Sequence, residues 1–108
     1  MSQIPKTSID GLIKIAEANG MMMIHTRNTE GMSDDEAVCT CHLIWYELPD
    51  EEFRISRREA RELGHVNSPV WDSYPAKMLR HLAMSLAIGK HFEKYGIPET
   101  LEAEDSCV

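Results

Sequence analysis

The sequence predicts a small α+β domain: an antiparallel sheet with an N-terminal helix, a short helix and a long C-terminal amphipathic helix. Three stretches carry that prediction. Residues 71–92 open on an aromatic turn and run through Tyr74-Pro75 into an almost unbroken helical sequence. Residues 37–46 read as a strand, and residues 8–19 repeat apolar side chains at helical spacing.

The long helix comes first because the rest of the chain is organised around it. Pro75 stands at the first helical turn, where its missing N–H costs nothing. The run then continues to Gly89 and Gly96. On a wheel of about 100° per residue, Met78, Leu79, Leu82, Ala83 and Leu86 share one arc. Lys77, Arg80, His81, His91 and Lys94 share the opposite arc, together with Met84 and Ile88. One side suits a core and the other a partner, although an ordinary helix with a solvated polar face has the same pattern.

The remaining elements follow in chain order. Thr7 with Asp10 has the form of a capping box, and Ile9, Leu12, Ile13 and Ala16 fall at i, i+3, i+4 and i+7. Gly20 stands where a left-handed C-cap belongs, so a helix is expected over about residues 8–19. Met21 to Ile24 suits a strand, with the methionines as soft core fillers or partner contacts. Residues 27–36 are polar, acidic and punctuated by glycine, and read as a loop. From 37 to 46 one face holds Ala37, Cys39, Cys41, Leu43 and Trp45, and the other Val38, Thr40, His42, Ile44 and Tyr46. Both faces can be buried, which predicts a central strand. Residues 48–52 turn the chain, and Phe53-Arg54-Ile55 returns as the second arm of a hairpin. Ser56 and Glu59 form another capping box, opening a short helix that ends at Gly64. Residues 65–72 are expected to be a loop. Residues 1–98 form one domain, and the acidic residues 99–108 are expected to be a disordered tail.

At 108 residues the chain is one small domain with a modest core. Its net charge of −7 is the wrong sign for a simple nucleic-acid binder. The charges are segregated, however. Residues 73–95 carry Lys77, Arg80, Lys90 and Lys94 against Glu93, while the acids bunch at 30–36, 47–52 and 99–105. A bipolar chain can still hold phosphate on one face. A second basic group is Arg54, Arg57, Arg58 and Arg61. Interleaved Glu59 and Glu62 allow intrahelical salt pairs, the alternative being an extension of the phosphate track.

Cys39, Cys41 and Cys107 are odd in number and lack a secretory signal, so no disulfide framework is implied. Cys39-Thr40-Cys41-His42 lacks the usual spacing of a structural zinc site, and core packing is the expected role of both thiols. No phosphate loop, H-E-x-x-H helix or G-x-S-x-G elbow is present. No catalytic residue, metal or ATP site is expected, and the chain is not read as an enzyme. A small enzyme using Cys39, Cys41 or His42 is the remotest rival. No apolar run is long enough to cross a bilayer, and the chain reads as cytoplasmic.

Trp71, Tyr74-Pro75, Lys77-Met78-Leu79-Arg80-His81, Ala83 and Phe92 together resemble the signature of the Bet/RecT family of phage single-strand annealing recombinases. Upstream, Ser8-Ile9-Asp10-Gly11-Leu12-Ile13-Lys14-Ile15 is similar to the family's Ile-Asp-Gly segment, and residues 37–41 to the strand that follows. The resemblance covers roughly residues 8–105 and corresponds to the C-terminal part of the family's usual core, as in a truncated or divergent member.

That resemblance implies ATP-independent annealing of single-stranded DNA in phage recombination. Members bind the strand along its backbone, as oligomers, without bond-breaking chemistry. Lys77, Arg80 and His81 match the family's basic run, and Trp71 and Tyr74 its aromatic turn, where packing competes with base stacking. The expected DNA contacts are therefore Lys77, Arg80, His81, Lys90 and Trp71, supported by Arg54, Arg58 and Arg61. The implied partners are single-stranded DNA, further copies of the chain, and a phage exonuclease or host single-strand-binding protein. No cofactor is expected apart from magnesium accompanying DNA, which no residue pattern here specifies. Ala76, Leu82 and Gly89 stand where the family commonly has further basic residues, with Lys90 in partial compensation. The alternative is a remnant that keeps the scaffold as an oligomerisation module without binding DNA.

Overall fold

A computed structural model describes residues 9–29, 36–64 and 69–97. In chain order the elements are α1 (Ile9–Ala18), β1 (Met21–Asn28), β2 (Val38–Trp45), β3 (Glu51–Ser56), α2 (Arg57–Glu62), α3 (Pro69–Ser73) and α4 (Pro75–Tyr95). The three strands form one antiparallel sheet in the order β1-β2-β3. The α+β architecture is the one predicted. The Thr7 cap, Cys107 and the tail at 99–108 lie outside the described residues, as does most of the expected loop at 27–36.

β2 is the central strand, but it is buried on one face only. Cys39, Cys41, Leu43 and Trp45 point into the core, whereas Val38, Thr40, His42 and Ile44 are half-covered. The expectation of two buried faces is corrected for a simple reason. α1 and α4 pack on the same side of the sheet, and among the described residues no helix covers the other side. The opposite face gains only what flanking strands and its own side chains provide.

β1 extends to Asn28, beyond the apolar stretch that suggested it. His25 pairs with His42, Arg27 with Thr40 and Asn28 with Cys39. His25 and Arg27 lie on the uncovered face, which tolerates them, whereas Thr26 and Asn28 follow Cys41 and Cys39 on the covered side. At its start the register shifts between Met21 and Met23, so Met22 is an extra residue that bends the strand. Met21 remains in the core while Met22 and Met23 are exposed. Gly20, at φ +106°, makes the preceding turn, and its carbonyl accepts the Tyr46 N–H at 2.8 Å. Glycine suits that positive φ, where a Cβ is disfavoured.

α2 starts with the predicted capping box. Ser56 Oγ accepts the Glu59 N–H at 3.0 Å, and Glu59 Oε1 accepts the Ser56 N–H at 3.1 Å. The expected loop at 65–72 contains a short helix instead. α3 begins on Pro69 and carries Trp71 into the core, so burial of one large ring stabilises a turn that local propensity does not announce.

α4 begins on Pro75, passes through Gly89 and is capped by Gly96, whose N–H donates to the Phe92 carbonyl. It touches all three strands and α1, α2 and α3. Its buried side therefore rotates. Leu79, Leu82 and Ala83 are buried early, followed by Ala87, Ile88, His91 and Phe92. Ile88 (0% exposed) and His91 (4%) were expected on the cationic side and are core residues. A single wheel assumes one buried face; this helix has neighbours on several.

Candidate nucleic-acid interface

Three residues of the expected DNA track gather on the first half of α4. Lys77 is exposed, and Arg80 and His81 are half-buried. Burial lowers the His81 pKa, and the charges of Arg80 and Lys77 lower it further, against a weaker opposing pull from Asp10 on α1. Burial first, and the two neighbouring cations second, disfavour a third positive charge on His81. Arg80 also lies close enough to the sheet to favour the Cys39 thiolate slightly.

The other expected contacts lie elsewhere. Lys90 follows Lys77 by thirteen residues, which is about 20 Å along the axis and on roughly the opposite side of the helix. Arg54 is on the uncovered face of the sheet, where the register places Arg27 and Arg54 on either side of Thr40. α4 covers the other face, so Arg54 does not prolong its basic patch. Arg58 is ion-paired with Glu36 at an exposed position, a contact worth little to stability. Arg61 is exposed on α2. Trp71 is 5% exposed and belongs to the core; packing, not base stacking, is its role. The expected single track is thus divided among the start of α4, its far end, the uncovered sheet face and α2.

Sequence reasoning missed a polar cluster at the other end of α4. Glu51 Oε1 accepts the Trp45 Nε1–H at 2.8 Å and the His91 Nδ1–H at 2.9 Å. The Trp45 and His91 rings stack with centroids 3.4 Å apart and planes 6° apart, and Phe92 meets both edge-on. Trp45 and Glu51 flank the hairpin turn, a hint available in the sequence. His91 lies forty positions from Glu51 and gives no such hint. The cluster borders a cavity of about 260 Å³, with Leu43, Phe53 and Ala87 for apolar walls and Glu52, Lys90 and Lys94 as polar lining. The Lys90 Nζ is 5.5 Å from the Phe53 ring centroid, a cation–π contact.

Cys39 and Cys41 are fully buried, as packing requires. Desolvation pushes the Cys39 thiol up to about 11 and that of Cys41 up to about 12, the latter helped by its neighbour Cys39. Both remain protonated and unreactive at neutral pH. No group of three metal-ligating side chains occurs among the described residues. Because native thiol pKa values are raised above the ordinary 9.0, their contribution to stability is complete below pH 9 and is lost as pH rises toward 11 to 12. Urea midpoints measured between pH 8 and 11 should fall at the alkaline end. A Cys39→Ala, Cys41→Ala double variant should show a shallower fall; an unchanged slope would mean the thiols are not shielded.

Comparison with family models, curated proteins and solved structures finds no match to this chain. Among the described residues no helix is long and apolar enough to cross a membrane.

Proposed function

We propose that the chain binds single-stranded DNA and promotes annealing of complementary strands without hydrolysing a nucleotide, as its resemblance to the Bet/RecT family implies. The observation that supports this reading best is the gathering of Lys77, Arg80 and His81 in a chain of net charge −7. Like charges held together repel, and a phosphate between them removes that repulsion. Lys77 and Arg80 would each contact a phosphate. His81 would take up a proton as the phosphate arrives, so binding would tighten as the pH falls. One small site binds weakly, so several copies would act along one strand in the cytoplasm, with an exonuclease or a single-strand-binding protein as partner.

The departures from the family pattern are smaller than they first read. Leu82 is buried, so a cation there would not reach a surface groove in this fold. Ala76 and Gly89 are half-buried, and no atom lies within 4 Å of a Cβ built on Gly89.

The test is fluorescence anisotropy of a labelled oligo-dT strand at several salt concentrations. For single strands log K falls with log salt by about 0.7 per phosphate contact. The Lys77→Ala, Arg80→Ala variant should therefore bind more weakly and lose about 1.4 from that slope. A folded protein that ignores the strand at low salt would end the annealing reading. The uncovered sheet face and the exposed Met22 and Met23 would then favour the second reading, an oligomerisation module.

A further inference from the structure

We propose that the uncovered face of the sheet is a second contact for the bound single strand, with a base stacked on His25 and phosphates at Arg27 and Arg54. The inference rests on the strand-binding reading for its choice of ligand, but it uses no residue of α4.

The antiparallel register fixes what this face presents. Two cross-strand rows lie side by side: His25, His42 and Glu52, then Arg27, Thr40 and Arg54. His25, Arg27, Glu52 and Arg54 are exposed, and His42 and Thr40 are half-buried. Among the described residues no helix packs on this side. No ion pair engages Arg27 or Arg54 there, whereas Arg58 on α2 is held by Glu36.

The imidazoles of His25 and His42 already form a stack, with centroids 4.8 Å apart and planes 16° apart. One face of the His25 ring is thereby taken, and the ring stands at the exposed, β1 end of the pair. A nucleobase laid on its other face adds a third layer to a stack the fold has built. Histidine is among the side chains on which unstacked bases settle, and such stacking is tolerant of base identity. Arg27 follows His25 by two residues on the same strand and face, about 7 Å away at the usual strand rise. The sugar of one nucleotide bridges that distance between its base and its phosphate. Arg54 lies across β2 from Arg27, about 10 Å away at the usual strand spacing, where its long side chain can reach a neighbouring phosphate. Guanidinium groups match phosphate oxygens as paired donors. Glu52 closes the far end of the histidine row and repels phosphate there. The strand therefore runs from the β1 edge across the arginine row.

An apolar protein segment fits this face less well. Its centre is two imidazoles and a hydroxyl, and its two arginines outnumber its one carboxylate in a chain of net charge −7. A phosphate chain complements that local sign.

Fluorescence anisotropy of the full chain with two labelled strands of equal length, oligo-dT and an abasic deoxyribose-phosphate strand, tests the proposal. The wild type should prefer oligo-dT by about fivefold or more, the range of one stacked base. His25→Ala should remove that preference and leave the salt slope unchanged, and His25→Phe, which keeps a flat ring, should restore it. Arg27→Ala, Arg54→Ala should weaken both strands alike and lower the salt slope by about 1.4. All three positions are exposed, so the variants should stay close to the wild-type urea midpoint. Equal binding of both strands by the wild type, or undiminished oligo-dT binding by the histidine and arginine variants, would overturn the proposal. So would a change of sedimentation mass in the arginine variant with oligonucleotide binding intact, which marks the face as a contact between copies of the chain. The Lys77→Ala, Arg80→Ala variant separates the two readings. If it binds as the wild type does while the sheet variants fail, the α4 site falls and the sheet face stands. If it alone loses the strand, the sheet face falls alone.

Discussion

Replacing Glu51 with alanine should lower the free energy of unfolding by about 2–4 kcal/mol, a large fraction of what a domain this small can hold. The carboxylate is the acceptor for two donors, the Trp45 indole N–H and the His91 Nδ1–H. Each donor left unsatisfied in a buried place costs about 1–3 kcal/mol. The Glu51 side chain is 25% exposed, so water replaces part of the loss and the lower half of the range applies. Glu51→Gln keeps one carbonyl acceptor in nearly the same volume and should recover about half. Glu52→Ala removes an exposed neighbour of the same charge and should stay within about 0.5 kcal/mol. Urea midpoints at constant slope would measure all three. Equal losses from Glu51→Ala and Glu52→Ala would show that the Trp45–Glu51–His91 cluster does not stabilise the fold.

Ile88→Ala should be as damaging, at about 2–5 kcal/mol. The side chain is fully enclosed in the core cluster, and truncation leaves a cavity that the surrounding helix and sheet fill only in part. Leu86 is the informative comparison because a uniform wheel places it in the centre of the apolar arc and Ile88 across from it. In the structure Leu86 is half-buried at the edge of the core, so Leu86→Ala should cost less than Ile88→Ala. The reverse order would mean that α4 is turned about its axis relative to the sheet.

That comparison also marks where sequence reasoning ends. Elements announced by local chemistry were legible: the Ser56–Glu59 capping box, Pro75 opening α4, the positive-φ turn at Gly20 and the hairpin of β2 and β3. The grouping of Cys39, Cys41, Leu43 and Trp45 on one face of β2 was legible too, because period-two alternation survives whatever packs on it, but that this face alone is buried was not. Features set by distant neighbours were not legible. The polar end of β1 exists because β2 offers partners, and α3 exists because the core takes Trp71. The basic residues were identified as candidates, but their grouping into separate sites depends on which sheet face α4 covers. Trp45, Glu51 and His91 each looked ordinary alone, and only the fold brings them within hydrogen-bonding distance.

The reach of α4 has a consequence for how the chain is made. Every other described element leans on this one helix, and all of them precede it in the sequence. While residues 9–73 emerge from the ribosome, the inward faces of Cys39, Cys41, Leu43 and Trp45 lack their main cover. A three-stranded sheet in that state is a half-built core with sticky edges, prone to association with other nascent chains. Productive collapse must wait for residues 75–95. The native state is therefore gained late and all at once, and a chain stalled before α4 should be a substrate for chaperones rather than a smaller folded domain.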